Sequence, residues 1–371
     1  MLIDVKGIKV VVAMSGGVDS AVAAALLHRQ GYDVIGITMQ IWQEHAEQGK
    51  SGGCCSLGAV EDARRAANRI GIPHYTLNFR DHFADKVISR FIDEYLHGRT
   101  PNPCVECNRS VKFEELLFQA KQLGADYLAT GHYARIKRNE TTGRYELLRA
   151  VNEDKDQSYA LYTLSQEALM HTLLPLGEMK SKDQIRRLAL DWGLSVAKKP
   201  DSQEICFVPP EGYTKFLEEM VPESMRPGDI VDVQGNTLGR HNGVAYYTIG
   251  QRKRLPPSNT GALFVVSLDA EKNTVVVGHE DDLLSGQCVV DELNWISVEK
   301  PVYPFSVSVR IRYNGQASAA HLSEYSNGHS TLCEFESPQR AVTPGQSAVF
   351  YHGDIVVGGG TIRSIHLHAS S

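Results

Sequence analysis

The 371-residue chain has no apolar run approaching the ~18 residues needed to cross a bilayer. The run at residues 21–27 is among its longer ones, so no transmembrane helix is expected. Its opening, MLIDVKGIKVVVAM, carries neither a basic leader region nor a small-residue cleavage site, so a cytoplasmic protein is expected. Cysteine is scarce and odd in number, seven in all, which excludes the disulfide scaffold of a small secreted protein. A basic surplus is also missing: the net charge is −6, with 26 Lys and Arg against 26 Asp and Glu up to residue 206 and 12 against 18 beyond it. Any nucleic-acid partner must therefore be gripped by a local patch, because phosphate affinity comes from clustered cations.

What is present is a folded composition, 42% hydrophobic and 22% charged, in a chain long enough for two or three domains. Strand-like and helical patterns alternate over the first two hundred residues. VVVAM precedes a helix over 19–30 that Gly31 closes, and VIGITM follows. A second helix over 58–70 stops at Gly71, HYTLNF reads as a strand, and 83–96 is amphipathic. Ser110 is expected to cap a helix running to Leu123, and 126–130 to form another strand. This alternation predicts a parallel sheet covered by helices. From about Pro209 the pattern turns to short alternating runs, DIVDV, AYYTI, ALFVVSL, NTVVVG, SVSVRIRY, TLCEFE and SAVFY, interrupted at EDDLLSG near Asp281. We therefore expect an α/β domain over 1–208, a small all-β domain over 209–280 and a barrel-like all-β domain over 281–371.

The segment Ala13, Met14, Ser15, Gly16, Gly17, Val18, Asp19, Ser20 lies between a strand and a helix. Two glycines let the backbone approach an anion, the helix N-terminus aims N–H groups at it, and Ser15 and Ser20 add hydroxyls. The segment lacks the Gly-Lys-Ser/Thr ending of the usual nucleoside-triphosphatase loop, so γ-phosphoryl transfer is not its signature. Asp19 could orient the loop, hold Mg²⁺, or only favour the helix N-terminus. These residues resemble the PP-loop ATP pyrophosphatases. That resemblance implies an adenine nucleotide alpha hydrolase type of fold, cleavage of ATP to an adenylate and pyrophosphate, and a place for Met39 and Gly131 in the nucleotide site.

Cys104 and Cys107 lie three positions apart in TPNPCVECN, and Cys206 follows Lys198 and Lys199 in KKPDSQEICF. A cysteine near a helix start has its thiolate favoured, as a sulfur nucleophile requires. With no second Cys-x-x-Cys in the chain, a four-cysteine zinc site is not expected. Three thiols, Cys104, Cys107 and Cys206, could instead hold three irons of a [4Fe–4S] cluster whose fourth iron carries sulfur. Cys54 and Cys55 read as linker residues or auxiliary thiols, and Cys288 and Cys333 as core.

With GRTPNPCxxCNxxxKF, DYLATGHYA, KDQSYALYTL, AKKPDSQEICF, YTIGQRKRL and VTPGQSAVFY beside SGGVDS, nearly the whole chain is similar to the tRNA-specific 2-thiouridylase family. The resemblance implies ATP-dependent 2-thiolation of the wobble uridine, position 34, through a C2 O-adenylate. It makes Cys206 the persulfide carrier and Cys107 the nucleophile, ending in a Cys107–Cys206 disulfide, and it implies a cysteine desulfurase or sulfur-relay protein as donor. Family members carry Asp where this chain has Cys104, so Cys104 stands open as acid/base or ligand. The resemblance assigns tRNA contacts to Asn102, Pro103, His132, Lys155, Asp156, Gln157, Arg312, Tyr313 and Gln346. Charge clustering adds Lys182, Arg186 and Arg187, Lys198 and Lys199, and Arg252, Lys253 and Arg254. A monomer using ATP and Mg²⁺ is expected. The competing class for such a loop, an amide-forming ligase, would need no paired cysteines, and no glutaminase Gly-x-Cys-x-Gly segment is present.

Overall fold

The computed structural model describes residues 5–41, 57–200, 205–222, 225–259 and 261–367. Cys54 and Cys55 lie outside these. The chain divides into two units, the first made of residues 1–88, 103–207 and 354–356, the second of 89–102, 208–353 and 357–371.

The first unit is built on a five-stranded parallel sheet. Its strands are β1 (Lys9–Ala13), β2 (Asp33–Gln40), β3 (His74–Asn78), β4 (Tyr127–Ala129) and, beyond a hairpin of β5 (Ala134–Arg138) and β6 (Tyr145–Arg149), β7 (Thr172–Leu173). The order β3-β2-β1-β4-β7 puts β1 at the centre, which is why its Val10, Val11 and Val12 form an unbroken apolar run with no exposure. Helix α1 (Val18–Gln30) is rich in small residues, and Ala21, Ala23, Ala24 and Ala25 are buried with Val22 and Leu27 against the sheet and its helical neighbours. Gly31 ends it in the left-handed conformation, φ 99°, as expected. The chain leaves β1 toward β2 on one side and pairs with β4 on the other. The C-terminal ends of β1 and β4 therefore form the crevice where parallel sheets place ligands.

One expectation in this unit is corrected. Ser110 caps nothing: helix runs continuously from Pro103 to Gln122, with i→i+5 bonding from Cys107 to Leu116. The Ser110 hydroxyl donates to the Glu106 carbonyl inside that helix, 2.9 Å away. Pro103 makes the true start, a position that needs no N–H donor.

The second unit holds two β structures. A four-stranded sheet has the order β10-β11-β8-β9, from β8 (Gly228–Asp232), β9 (Thr237–His241), β10 (Phe264–Asp269) and β11 (Thr274–Gly278). A closed six-stranded barrel follows, from β12 (Leu284–Trp295), β13 (Phe305–Arg310), β14 (Ser318–Tyr325), β15 (Ser330–Arg340), β16 (Ser347–His352) and β17 (Ile355–Leu367), sealed by β12 pairing with β17. Cys288 and Cys333 face each other across β12 and β15, both wholly buried core residues. Two patterns departed from expectation. AYYTI is not a strand, since Val244–Tyr246 forms a 3₁₀ turn. The region after Pro209 also contains a helix, Tyr213–Met220; its Tyr213 stacks on Tyr95 at 4.6 Å and its Phe216 meets Phe91 edge-on.

Candidate active site

In the first unit, the turn between β1 and α1 is shaped as an anion cradle. Gly16 has φ +70°, and a Cβ there would lie 2.2 Å from the Ala59 carbonyl oxygen in helix α2 (Leu57–Ile70). Only glycine allows both the left-handed backbone and that approach. The Ser15 amide donates to Ser20 Oγ at 3.1 Å, and Ser20 Oγ donates to the Gly17 carbonyl at 3.1 Å. The loop is thus braced by its own hydroxyls. No side chain caps α1 at Gly17, so the helix N-terminus keeps its donors for a guest. Met39 lies near the end of β2, half-buried.

A buried relay fixes the start of the loop. Thr38 donates its hydroxyl to the Met14 carbonyl at 2.7 Å, so its contact with His74 Nε2 at 2.8 Å requires the imidazole to be the donor. Burial, aided by the Arg64 charge, holds the His74 pKa below its usual value. Thr38→Val should strand both groups and cost about 1–3 kcal/mol, read as a lower urea midpoint, whereas Thr38→Ser should restore it. Equal midpoints for all three proteins would contradict the relay.

The segment after β4 joins the loop to the cysteines. A Cβ on Gly131 would fall 2.7 Å from the Ser20 amide nitrogen, so this glycine rests directly on the first turn of α1. His132 accompanies Thr130 through Nδ1 at 2.7 Å and lies 6.1 Å from the Phe113 ring, on the helix that carries Cys104 and Cys107. The Tyr133 hydroxyl donates to Asp19 at 2.6 Å. Three consecutive residues therefore touch the phosphate loop, the cysteine helix and the loop again. Asn108 further secures that helix, donating to the Ala160 carbonyl at 2.9 Å.

Cys104 is exposed in the first turn, Cys107 is buried, and Cys206 is half-buried. Phe207 packs edge-on against Phe83 at 5.7 Å, while His82 donates to the Ser110 carbonyl at 3.2 Å. The short helix Arg80–Phe83 thus holds both the residue after Cys206 and the turn after Cys107. Nothing in the structure supports the iron–sulfur alternative: among the described residues no group of three or more His, Cys, Asp or Glu is placed to hold a metal ion.

Burial, with the Lys112 charge second, pushes the His132 pKa well below 6.5. Burial likewise lowers those of His74 and His241. A histidine whose folded pKa is depressed stabilises the fold above its unfolded pKa and loses that contribution as pH falls through the folded one. The urea midpoint should therefore drop between pH 7.5 and pH 5.5, about the histidine range, and drop less in His132→Gln. An identical loss in both proteins would contradict this.

The tRNA expectations divide. Asp156 is buried and accepts from the Ala150 and Ser158 amides and the Ser158 hydroxyl, so its carboxylate is turned inward. Gln157 exchanges two bonds with the Tyr133 backbone, which holds this loop beside His132. Lys155 is half-buried at the loop's edge. Pro103 is buried at the start of the cysteine helix. In the second unit, Gln346 donates to the Thr100 carbonyl at 2.9 Å, next to Asn102, and Arg312 donates to the Ala341 carbonyl in the same turn. Tyr313, which is exposed, receives a bond from Arg310 on its carbonyl. Arg252 and Arg254 lie over the rings of Phe264 and Tyr246.

Two lysines assigned to RNA by charge clustering turn to the loop instead. Lys182 binds both Asp19 oxygens at 2.8 and 2.7 Å, and Lys199 donates to the Gly16 carbonyl at 3.0 Å and to Asp62 at 2.8 Å. Partners this distant in sequence leave no local spacing by which to find them.

Residues 8–210 match the family model described as tRNA methyl transferase HUP domain, 214–279 the tRNA methyl transferase PRC-barrel domain, and 285–362 the Aminomethyltransferase beta-barrel domain. Proteins called tRNA-specific 2-thiouridylase MnmA are similar along almost the whole chain. That of Heliobacterium modesticaldum is 53% identical over 354 residues, 95% of this chain and 92% of its own. Those of Clostridium perfringens and Acetivibrio thermocellus are each 53% identical, over 96% of this chain and 99% of theirs.

Proposed function

The chain belongs to the tRNA-specific 2-thiouridylase family, and from this we propose that it replaces the C2 oxygen of the wobble uridine of tRNA, position 34, with sulfur at the expense of ATP. The observation that carries the reading is the Gly131–His132–Tyr133 bridge between a pyrophosphate-type loop and a helix bearing Cys107. One wall then serves both activation and sulfur transfer.

The uridine oxygen attacks the α-phosphorus of ATP, the bond to the β-phosphate breaks, and pyrophosphate leaves into the loop. This converts a poor leaving group into AMP. Cys206 arrives as a persulfide loaded by a donor of the cysteine desulfurase class. The Cys107 thiolate attacks the Cys206 Sγ, and the terminal sulfur departs as hydrosulfide and adds to C2. AMP leaves with the original oxygen, and the Cys107–Cys206 disulfide is reset by a two-electron reductant. Cys104 is exposed at the helix start, and we assign it proton exchange there. The Asp19 carboxylate is engaged by Lys182 and Tyr133, so Mg²⁺ enters on the phosphate oxygens of Mg–ATP. His132, kept neutral, offers hydrogen bonds and not charge to an unstacked base. Asn102, Arg312, Tyr313 and Gln346 contribute to holding the tRNA, with Lys155 and Gln157 beside His132. We assign the protein to the cytoplasm as a monomer.

The test is stoichiometric. With unmodified tRNA, Mg–ATP and a persulfide donor, 2-thiouridine, AMP and pyrophosphate should appear in equal amounts. Release of ADP, or methylated uridine without AMP, would contradict the reading.

A further inference from the structure

The phosphate loop contains no lysine, yet it must hold a strongly anionic leaving group. Among the described residues, two ammonium groups reach it from elsewhere in the unit, and they are not equivalent. The Lys182 side chain is only 13% exposed and is occupied by both oxygens of Asp19. It neutralises a carboxylate that would otherwise repel phosphate at the start of α1. The Lys199 side chain is 37% exposed and donates to a neutral atom of the loop, the Gly16 carbonyl, and to Asp62. An ammonium has three N–H donors, so one N–H of Lys199 has no protein acceptor among the described residues.

We propose that Lys199 is the phosphate-binding cation of this loop, contacting the β- and γ-phosphates of a nucleoside triphosphate and then the departing pyrophosphate. Gly16 and Asp62 store the ammonium at the cradle until phosphate oxygens compete for it. The lysine stays protonated throughout; it compensates the charge that grows on the bridging oxygen as the bond from the α-phosphorus breaks. The inference rests on the reading of the loop as the ATP site, and it separates Lys199 from a strut that merely ties α2 to the loop through Asp62.

Calorimetric titration of the full chain with Mg–ATP, inorganic pyrophosphate and AMP distinguishes these. Lys199→Met should weaken ATP and pyrophosphate by about ten- to a hundredfold, the worth of a charged hydrogen bond, and leave AMP unchanged. Lys199→Arg should recover part of the loss. Asp62→Asn should bind ATP as tightly as the wild type or more tightly, because it releases the ammonium. Parallel losses in Asp62→Asn and Lys199→Met, or an equal loss of AMP and ATP, would overturn the proposal in favour of a strut. Undiminished ATP binding by Lys199→Met would overturn it outright. A wild-type protein that binds none of the three probes would instead remove the ATP reading itself.

Discussion

Cys206→Ser should lower 2-thiouridine formation by about a thousandfold or more, the scale on which loss of a nucleophile or carrier abolishes covalent chemistry, while ATP affinity stays at the wild-type value. The separation follows from the structure of the first unit. The loop is braced by Ser15, Ser20, Lys182 and Lys199, and none of these bonds uses sulfur. Cys107→Ser should behave in the same way, with one difference: it should still accept a persulfide on Cys206, visible as a mass gain of one sulfur on the peptide that contains it. Cys206→Ser should show no such gain there. Normal thiolation by either variant would sink the assignment of the pair. Loss of ATP binding in both would mean that the cysteines serve the loop's shape and not its chemistry.

Gly16→Ala is expected to have the second large effect, on the other half of the reaction. Its Cβ would meet the Ala59 carbonyl oxygen at 2.2 Å and would have to be borne at φ +70°. Strain of about 1–3 kcal/mol from the backbone and a similar cost of overpacking would be relieved by moving the loop off α2. ATP affinity should then fall by about a hundredfold or more. Gly143→Ala provides the control, with a φ of +72° but nothing within 4 Å of its Cβ; it should lose stability modestly and bind ATP normally. Similar ATP affinities for the two variants would show that close approach to α2 does not shape the cradle.

The parts legible in the sequence were those with a local cause. Three valines followed by SGGVDS fix a central strand, a glycine turn and a helix start, because strand burial and left-handed backbone each select particular residues within a few positions. Gly31 and Gly71 end their helices for the same reason. The period-two runs of the second unit pointed to its β character, though not to closure, which depends on β12 meeting β17 some seventy residues later. Ser110 misled because a helix-capping residue type can also bond back to the carbonyl four positions earlier. The alternation in AYYTI belongs to a turn followed by extended chain, which period alone does not separate from a strand. At the site, the cysteines and the loop carry their chemistry in their own motifs. The lysines that complete the loop do not: Lys182 and Lys199 sit in basic clusters that resemble an RNA-facing surface, and only tertiary pairing with Asp19, Gly16 and Asp62 gives them their place.

The central claim is that the uridine oxygen itself is activated by ATP before sulfur replaces it. It is tested most directly by carrying ¹⁸O at C2 of the wobble uridine through a single turnover with persulfide-loaded protein and Mg–ATP, and weighing the products. One ¹⁸O should appear in the phosphate of AMP for each 2-thiouridine formed, and none in pyrophosphate or water. Thiolated tRNA accompanied by unlabelled AMP would contradict it, since sulfur would then have entered without an adenylated oxygen.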